Sequence, residues 1–327
     1  MINLLNIQPH KVSRDLSGYI TYIYGAGKTG KTTLASQMPN SLLIAWEKGY
    51  NAIPGIMAQD VKSWAEMKMV LKELKKPEVQ DTFKCIVIDT IDIATAACEK
   101  YVISKAGVDK LSDIAWGGGW SEVKKEIEET FRTITQLGYA LFFISHAKDK
   151  TFKREDGTEY NQVVPTLGNS YNEIIKDIAD IYAYAHTVRT DEGTKVMLTL
   201  RSLDGTADTG CRFKYINPEI EFNYQSLVDA LNEAIDKEAK ITNNQFVTNE
   251  RNVTSEEVDL DFDKLMEEFN TILHSIPKEK MPDYAPRITQ IIEKTLGKGK
   301  KIGNAQRGQE EQIQVIIADL KDMLNAQ

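Results

Sequence analysis

The octapeptide GAGKTGKT at residues 25–32 constrains this chain more than any other feature, because it matches the pattern G-x-x-x-x-G-K-[ST] at every fixed position. A β-branched and aromatic run, YITYIY, precedes it, and the segment KTTLASQM has the character of a helix that Pro39 ends. Gly25 and Gly30 allow the backbone to curl tightly, so that successive N–H groups point toward a phosphate chain. The pattern predicts a nucleotide site at a strand-to-helix turn, the alternative being a chance loop of glycine and lysine.

Each residue type in this loop suits a triphosphate and its metal ion. We expect the Lys31 ammonium to lie against the β- and γ-phosphates of ATP and the Thr32 hydroxyl to complete the coordination of Mg²⁺. The following helix directs its positive end at the same anion. Lys28 lies mid-loop, where contact with phosphate, with a neighbouring subunit or with solvent stays open. The predicted nucleotide-binding residues are Gly25, Ala26, Gly27, Lys28, Thr29, Gly30, Lys31, Thr32 and Thr33.

A second magnesium ligand is expected at the end of a neighbouring strand. The apolar run CIVI at 85–88 delivers Asp89 to a carboxyl end, where α/β sheets form their ligand crevice. A carboxylate there holds Mg²⁺ through water in ATPases that carry such a loop. The alternative is an ordinary aspartate at the end of a strand. Asp92 is a weaker candidate for the same role, because it lies about one helical turn further on.

Two more side chains follow predicted strands at the same level. Glu47 comes after the strand SLLIAW at 41–46, where a carboxylate can orient and polarise the attacking water. Ser145 and His146 end the strand YALFFIS, and a polar group there can sense loss of the γ-phosphate. Glu47 as a solvated turn residue and His146 as a hydrogen-bonded structural residue are the alternatives.

The order of apolar segments predicts α/β architecture with a mostly parallel sheet flanked by helices. Strand-like and helix-like patterns alternate over the first ~230 residues, and the strand runs are apolar throughout, as in strands buried on both faces. We expect an ATPase core at 1–235, a polar linker at 236–260 and a helical C-terminal extension at 261–327, with helices near 262–274 and 309–325.

Composition excludes several classes of protein. No apolar run approaches the roughly 18 residues that span a bilayer. Three widely spaced cysteines give neither a disulfide framework nor a zinc site. The N-terminus is too polar for a secretory signal, so we expect a cytoplasmic protein with no membrane partner. The net charge of −8 argues against indiscriminate coating of nucleic acid but allows a local basic groove.

Basic residues near aromatic ones mark candidate contacts with single-stranded DNA. The segment at 146–162 supplies Lys148, Lys150, Lys153 and Arg154 with Phe152, and the stretch WGGGW supplies Trp116 and Trp120. The alternatives are solvated lysines and a Trp120 that packs its helix onto the sheet. A basic, glycine-punctuated segment at 293–308 could contact phosphates, dock the acidic tail of a single-strand-binding protein, or be a solvated linker. Its basic residues are Lys294, Lys298, Lys300, Lys301 and Arg307.

With these elements in order, the chain resembles the RecA-like P-loop ATPases, and most closely the compact phage proteins of the Sak group that act in single-strand annealing. The resemblance covers roughly residues 15–225. It implies that Glu47 activates water and that the protein assembles into rings or filaments with basic residues donated in trans; the candidates are Arg201, Arg212 and Lys214. The stretches that carry it are YGAGKTGKTTLASQMP, LLIAWEKGYNAI, CIVIDTIDIA, WGGGWSEVKKEI, ALFFISHAKDK and DIADIYAYAHTV.

Two features depart from the full-length recombinases: only about 18 residues precede the first strand, and the tail beyond 236 has no counterpart in the minimal family pattern. The resemblance therefore implies a weak, DNA-stimulated ATPase of a phage-infected bacterial host that binds single-stranded DNA and promotes annealing or homologous pairing. The alternative is a nucleotide-switched scaffold or loader with little hydrolysis. A small-molecule kinase is disfavoured because no arginine-rich lid segment is evident.

Overall fold

Apolar runs form the central strands of this chain. The structure is a computed structural model that describes residues 9–191, 193–243, 246–251 and 261–325. The described residues divide into two compact units, 9–251 and 261–325. The strands of the first unit are β1 (Val12–Ser13), β2 (Thr21–Gly25), β3 (Ser41–Ala45), β4 (Ala58–Asp60), β5 (Cys85–Asp89), β6 (Ala140–Lys153), β7 (Glu159–Pro165), β8 (Ile181–Thr190), β9 (Gly193–Thr199), β10 (Gly210–Cys211), β11 (Glu219–Glu221) and β12 (Val247–Thr248). Its helices are α1 (Lys31–Ser36), α2 (Trp64–Leu74), α3 (Pro77–Thr82), α4 (Ile91–Ala106), α5 (Gly118–Gln136), α6 (Asn169–Ile178) and α7 (Tyr224–Thr242).

The main sheet has the strand order β11-β9-β8-β2-β6-β5-β3-β4. The six strands from β8 to β4 are parallel, whereas β9 and β11 extend one side of the sheet in antiparallel fashion. All six parallel strands end at one edge, named the carboxyl edge below. Because β6 lies between β2 and β5, the strand that leads into the glycine loop is not adjacent to the strand that carries Asp89.

The sheet has a core on each face, because successive side chains of a strand point to opposite sides. In β2, Tyr22 and Tyr24 join a core formed with α2, α4, α5 and α6. Ile23, between them, joins a second core formed with α1 and α7. This layered arrangement confirms the predicted α/β class and explains why the strand runs are almost continuously apolar.

The strand β6 extends well beyond the central sheet. His146 is the last residue that pairs with β2, and from Ala147 onward the strand pairs antiparallel with β7. The sequence predicted a strand that ends at 145, followed by a basic segment at 146–162. In the structure that segment forms most of a β-hairpin, named the β6–β7 hairpin below. Its turn forms because Asp156 accepts hydrogen bonds from Thr158 and Gly157 has φ +85°.

The first part of the segment predicted as a linker belongs to the first unit. Helix α7 continues to Thr242, and β12 pairs in parallel with β1. Arg251 is held by three main-chain carbonyls, those of Ser17 (2.9 Å), Lys84 (2.7 Å) and Gly138 (2.5 Å). Polar composition misled the prediction because hydrogen bonds fasten much of residues 246–251, with Val247 adding an apolar contact to the core. The remainder of the predicted linker, 252–260, lies outside the described residues.

The second unit contains α8 (Phe262–Ser275), α9 (Met281–Leu296) and α10 (Glu310–Asn325). Asp261 caps α8 by accepting from the N–H groups of Asp263 and Lys264. Phe269, Ile313, Ile316 and Leu320 are fully buried in its core. The C-terminal region is therefore helical, as expected, but α9 was not predicted, and the basic segment at 293–308 begins inside it. Across the described part of the chain, no helix has the length and apolar character needed to cross a membrane.

We predict that Arg251→Met destabilises the first unit. Three carbonyls at the amino ends of the strands would lose their charged donor; that of Lys84 keeps the Ala140 N–H, and a buried carbonyl left unsatisfied costs about 1–3 kcal/mol. The measurement is the free energy of unfolding from urea titration, with the exposed Arg189→Met as the matched control. Equal stability of the two variants would show that Arg251 does not fasten this segment to the sheet.

Candidate nucleotide-binding site

The two fixed glycines of the loop are required for different physical reasons. Gly30 precedes α1 with φ +89°, a left-handed conformation that favours glycine. Gly25 ends β2 beside β8, and a Cβ atom placed on it would lie only 2.3 Å from the carbonyl oxygen of Ala185. The curled backbone was predicted; the close approach of β8 is a tertiary feature that sequence alone could not reveal.

Lys31, the first residue of α1, is buried and directed back toward the loop. Its Nζ donates to the carbonyl oxygens of Gly25 (2.9 Å) and Ala26 (2.7 Å), and Thr29 Oγ1 lies 3.3 Å away. Burial lowers the pKa of Lys31, while the nearby Asp89 acts in the opposite direction. A cation held among loop carbonyls in this way is suited to exchanging them for phosphate oxygens.

Thr32, at the start of α1, and Asp89, at the end of β5, are in contact although β6 lies between β2 and β5. Thr32 Oγ1 donates to Asp89 Oδ2 over 2.7 Å, and Asp89 is almost fully buried. Burial raises the pKa of Asp89, and the Thr32 hydrogen bond partly offsets that effect. A hydroxyl and a carboxylate in contact are the oxygen ligands that Mg²⁺ prefers, so these two side chains fit the metal predicted here.

Gly49 is a part of this site that the sequence prediction missed. A Cβ atom on Gly49 would lie 3.6 Å from Thr32 Oγ1 and 3.8 Å from both Asp89 Oδ2 and Glu47 Oε1. Oxygen atoms of three side chains therefore lie close to the Gly49 backbone, which carries no side chain of its own. The signal in the sequence is the glycine two residues after the glutamate that follows β3.

Glu47 and His146 complete the cavity at the carboxyl edge. Glu47 Oε1 lies 3.7 Å from His146 Nε2, and His146 stands opposite Gly25 in the sheet register. The end of β3 is tied to the end of β5 by a hydrogen bond from the Trp46 N–H to the Asp89 carbonyl (2.7 Å). The cavity has a volume of about 370 Å³. Its lining includes Gly27, Lys28, Gly30, Lys31, Thr32, Thr33, Glu47, Gly49, Asp89 and His146.

Asp92 does not share the position of Asp89. It lies in the first turn of α4 and accepts hydrogen bonds from Ser145 Oγ (3.0 Å) and Thr166 Oγ1 (2.5 Å). Asp89, in contrast, has Thr32 as its partner. The structure therefore places Asp89, not Asp92, at the candidate metal position.

The predicted DNA-contact residues lie on two faces of the β6–β7 hairpin. Lys150 Nζ lies 4.7 Å from the ring centre of Phe152, which stacks on Tyr160 at 5.5 Å, and the Arg154 guanidinium lies 4.7 Å from the centre of Tyr160. Because side chains alternate along a strand, Lys148 lies on the same face as Lys150 and Lys153 lies on the other face. Tyr160 was missed, although the dipeptide Asp-Gly in the turn signals a hairpin that would have paired it with Phe152.

The residues expected to act in trans do not reach the cavity of their own chain. The Arg201 guanidinium donates to the carbonyls of Cys211 and Phe213, both at 3.0 Å. Arg212 forms an ion pair with Asp180 at 3.4 Å, where β8 begins and thus at the opposite edge of the sheet. Lys214 Nζ lies 5.2 Å from the ring centre of Tyr215.

The other predicted contacts are exposed. Trp116 is wholly exposed, and Trp120, 45% exposed, lies in the first turn of α5. In the second unit, Lys294 and Arg307 form ion pairs with acidic residues of α10 and α8. The remaining members of the basic segment, all exposed, are Lys298, Lys300 and Lys301.

Comparison with known proteins gives three findings. A family model described as an AAA domain matches residues 17–213. The SPbeta prophage-derived uncharacterized protein YorG of Bacillus subtilis (strain 168) is 31% identical over 333 residues, with 99% of each chain covered. The solved structure of the flagellar accessory protein FlaH from Methanocaldococcus jannaschii is 13% identical, with a TM-score of 0.35, and the match covers 63% of this chain and 85% of that one.

We predict that Gly25→Ala lowers the free energy of unfolding by about 1–3 kcal/mol, because β2 and β8 must separate to admit the methyl group. Gly27→Ala is the matched control: a Cβ atom there meets nothing within 4 Å. Its effect should stay within about 0.5 kcal/mol. Urea titration of both variants measures the difference, and equal losses would contradict the close approach of β8.

Proposed function

The chain belongs to the AAA-domain family of P-loop ATPases, and from that premise we propose that it is a phage recombination protein. In this proposal it binds and hydrolyses ATP with Mg²⁺, binds single-stranded DNA, and promotes annealing or homologous pairing. One observation carries the proposal. The strand that brings His146 to the nucleotide cavity continues directly into a hairpin whose face is lined with cations and stacked aromatic rings.

Each cavity residue has a separate role in the proposed hydrolysis of ATP. Lys31 and the loop N–H groups bind the phosphates. Thr32 and Asp89 would hold Mg²⁺, which supplies positive charge against the phosphate oxygens when bound. Glu47, within 4 Å of His146, accepts a proton from the attacking water and orients it. His146 contributes a hydrogen bond that depends on the γ-phosphate.

The hairpin face has the chemistry expected of a single-strand binder. Stacked rings accept any base, because every base presents a π-face, and the flanking cations pair with the phosphate backbone. Phe152 and Tyr160 form the platform, with Lys150 and Arg154 against its rings. Lys148 extends the basic track toward the cavity, where its Nζ donates to the Thr166 carbonyl over 3.1 Å.

The prophage relative and the order of the sequence motifs support a phage protein that works as an assembly. The prophage origin of the relative YorG supports a phage protein that acts in the cytoplasm of a bacterial host. The RecA-like order of motifs supports assembly into a ring or filament, with Arg212 and Lys214 as basic residues presented to a neighbour. The exposed lysines at 298–301 suit the acidic tail of a single-strand-binding protein.

A second candidate function is favoured by one observation, the separate hydrophobic core of residues 261–325. A helical unit with its own core can bind a replication or recombination partner while the ATPase unit acts as a nucleotide switch with little hydrolysis. Deleting 258–327, which leaves α7 and Arg251 in place, should abolish partner capture in a pull-down. Retention of every partner by the truncated protein would remove this alternative.

We predict that Glu47→Gln retains ATP binding but lowers turnover by about 100-fold or more, because general-base assistance contributes on that scale. ATP affinity is measured by calorimetry and turnover by phosphate release. Lys31→Ala should lose ATP binding as well, and the exposed Glu122→Gln should change neither quantity. Full turnover in Glu47→Gln would assign the water-activating role to another group.

We predict that single-stranded DNA raises ATP turnover at low salt and that the hairpin carries the effect. Phe152→Ala together with Tyr160→Ala should weaken DNA binding about tenfold or more, since base stacking is worth about 1–3 kcal/mol per base. Lys150→Ala should reduce the slope of log affinity against log salt by about 0.7, as expected for one lost phosphate contact.

Lys153→Ala is the matched control for Lys150→Ala, because its side chain lies on the other face of the hairpin. It should leave DNA affinity and the salt slope nearly unchanged. Turnover that ignores single-stranded DNA at low salt would overturn the recombination proposal. Equal losses in the two lysine variants would contradict the assignment of the binding face.

A further inference from the structure

One carboxylate joins the two ends of the β6–β7 hairpin beside the nucleotide cavity. Asp92 Oδ1 accepts from Ser145 Oγ at 3.0 Å and from Thr166 Oγ1 at 2.5 Å. Ser145 lies at the point where β6 leaves the central sheet, and Thr166 directly follows β7. The two ends of the hairpin are therefore linked by two hydroxyl groups that donate to the same Asp92 oxygen.

Both hydroxyls have a second acceptor within reach, the main-chain carbonyl of His146. That oxygen lies 3.1 Å from Ser145 Oγ and 3.3 Å from Thr166 Oγ1, and it also accepts from the Thr166 N–H at 2.9 Å. Each hydroxyl carries a single hydrogen and can donate to one acceptor at a time. Rotation about one C–O bond therefore exchanges the carboxylate for the carbonyl without any movement of the chain.

The second oxygen of the Asp92 carboxylate could accept hydrogen bonds that this arrangement does not supply. Asp92 Oδ2 is buried, and within the described residues no group donates a hydrogen bond to it. Ser145 is completely buried as well. A buried carboxylate oxygen without a donor is destabilising, so a shift of either hairpin end that gave it a donor would be favoured.

Asp92 and Ser145 lie close in sequence to the residues that contact nucleotide in the proposed function. Asp92 follows Asp89 by three residues, and Asp89 bonds to Thr32 of the loop. His146, between Ser145 and the hairpin, directs its ring toward Glu47 in the cavity. Short stretches of backbone therefore join Asp89 to Asp92, and His146 to Ser145, which donates to Asp92.

We propose that Asp92 is a positioning residue that couples the occupancy of the nucleotide cavity to the position of the β6–β7 hairpin. Nucleotide binding alters how Ser145 and Thr166 divide their hydrogen bonds between Asp92 and the His146 carbonyl, and the two ends of the hairpin move accordingly. The consequence for DNA rests on the proposed function, whereas the coupling itself requires only that the cavity binds nucleotide.

The test measures amide hydrogen exchange of residues 147–165 in the full-length protein. It compares the protein alone with the protein plus a non-hydrolysable ATP analogue and Mg²⁺. In the unmodified protein we expect the analogue to change exchange in the hairpin about fivefold or more, in the range of common coupling energies. Thr166→Val, which removes only the hydroxyl, should abolish this change, and Ser145→Ala should diminish it.

Thr166→Ser keeps the hydroxyl and should retain the full response, which separates lost coupling from a general effect of substitution at this position. Analogue affinity, measured by calorimetry, should stay within about twofold of normal in all three variants. An unmodified hairpin that ignores the analogue, or a Thr166→Val variant that responds in full, would overturn the proposal.

The DNA measurements distinguish this inference from the proposed function. Where the hairpin responds to the analogue through Thr166 but single-stranded DNA neither binds nor raises turnover, the coupling stands and the recombination function fails. Where DNA binds but its affinity and the hairpin exchange are indifferent to nucleotide in every variant, the recombination function stands and the coupling fails.

Discussion

The contact between Thr32 and Asp89 is the interaction on which the rest of the site depends. The strand that leads into the loop, β2, and the strand that carries Asp89, β5, are separated by β6, a distance of about 10 Å across two strand spacings. The loop must therefore deliver Thr32 over the end of β6, and it does so because Gly30 adopts a left-handed conformation before α1. The same displacement sets Lys31 among the loop carbonyls and leaves the cavity open toward Glu47.

The position of β6 gives one strand two roles. As a central strand it is buried on both faces and contributes Phe142 and Phe143 to opposite cores. Beyond His146 it has left the sheet and becomes one arm of an exposed hairpin. A nucleotide cavity and a basic aromatic surface are thus joined by continuous backbone. Asp92 adds a side-chain connection between the two ends of that hairpin.

The first unit also depends on residues far along the chain. Arg251 reaches the carbonyls of residues that precede β2, β5 and β6, and β12 pairs with β1 at the other end of the sequence. Such hydrogen bonds need no apolar residues, which is why the polar composition after residue 236 gave no sign of them. The second unit is held differently, by a buried apolar core of three helices.

The sequence by itself determined the nucleotide loop, the α/β class and the strand ends that carry Glu47, Asp89 and His146, because these depend on local patterns: glycine spacing, apolar runs and the residue that ends each run. Only the tertiary structure decided that β8 requires a glycine at 25, that Gly49 lies beside Thr32 and Asp89, and that Asp92 bonds to the ends of the hairpin. It also divided the basic residues between two hairpin faces. These features arise from contacts between segments distant in sequence, and no local pattern encodes which backbone will pass within 3 Å of another.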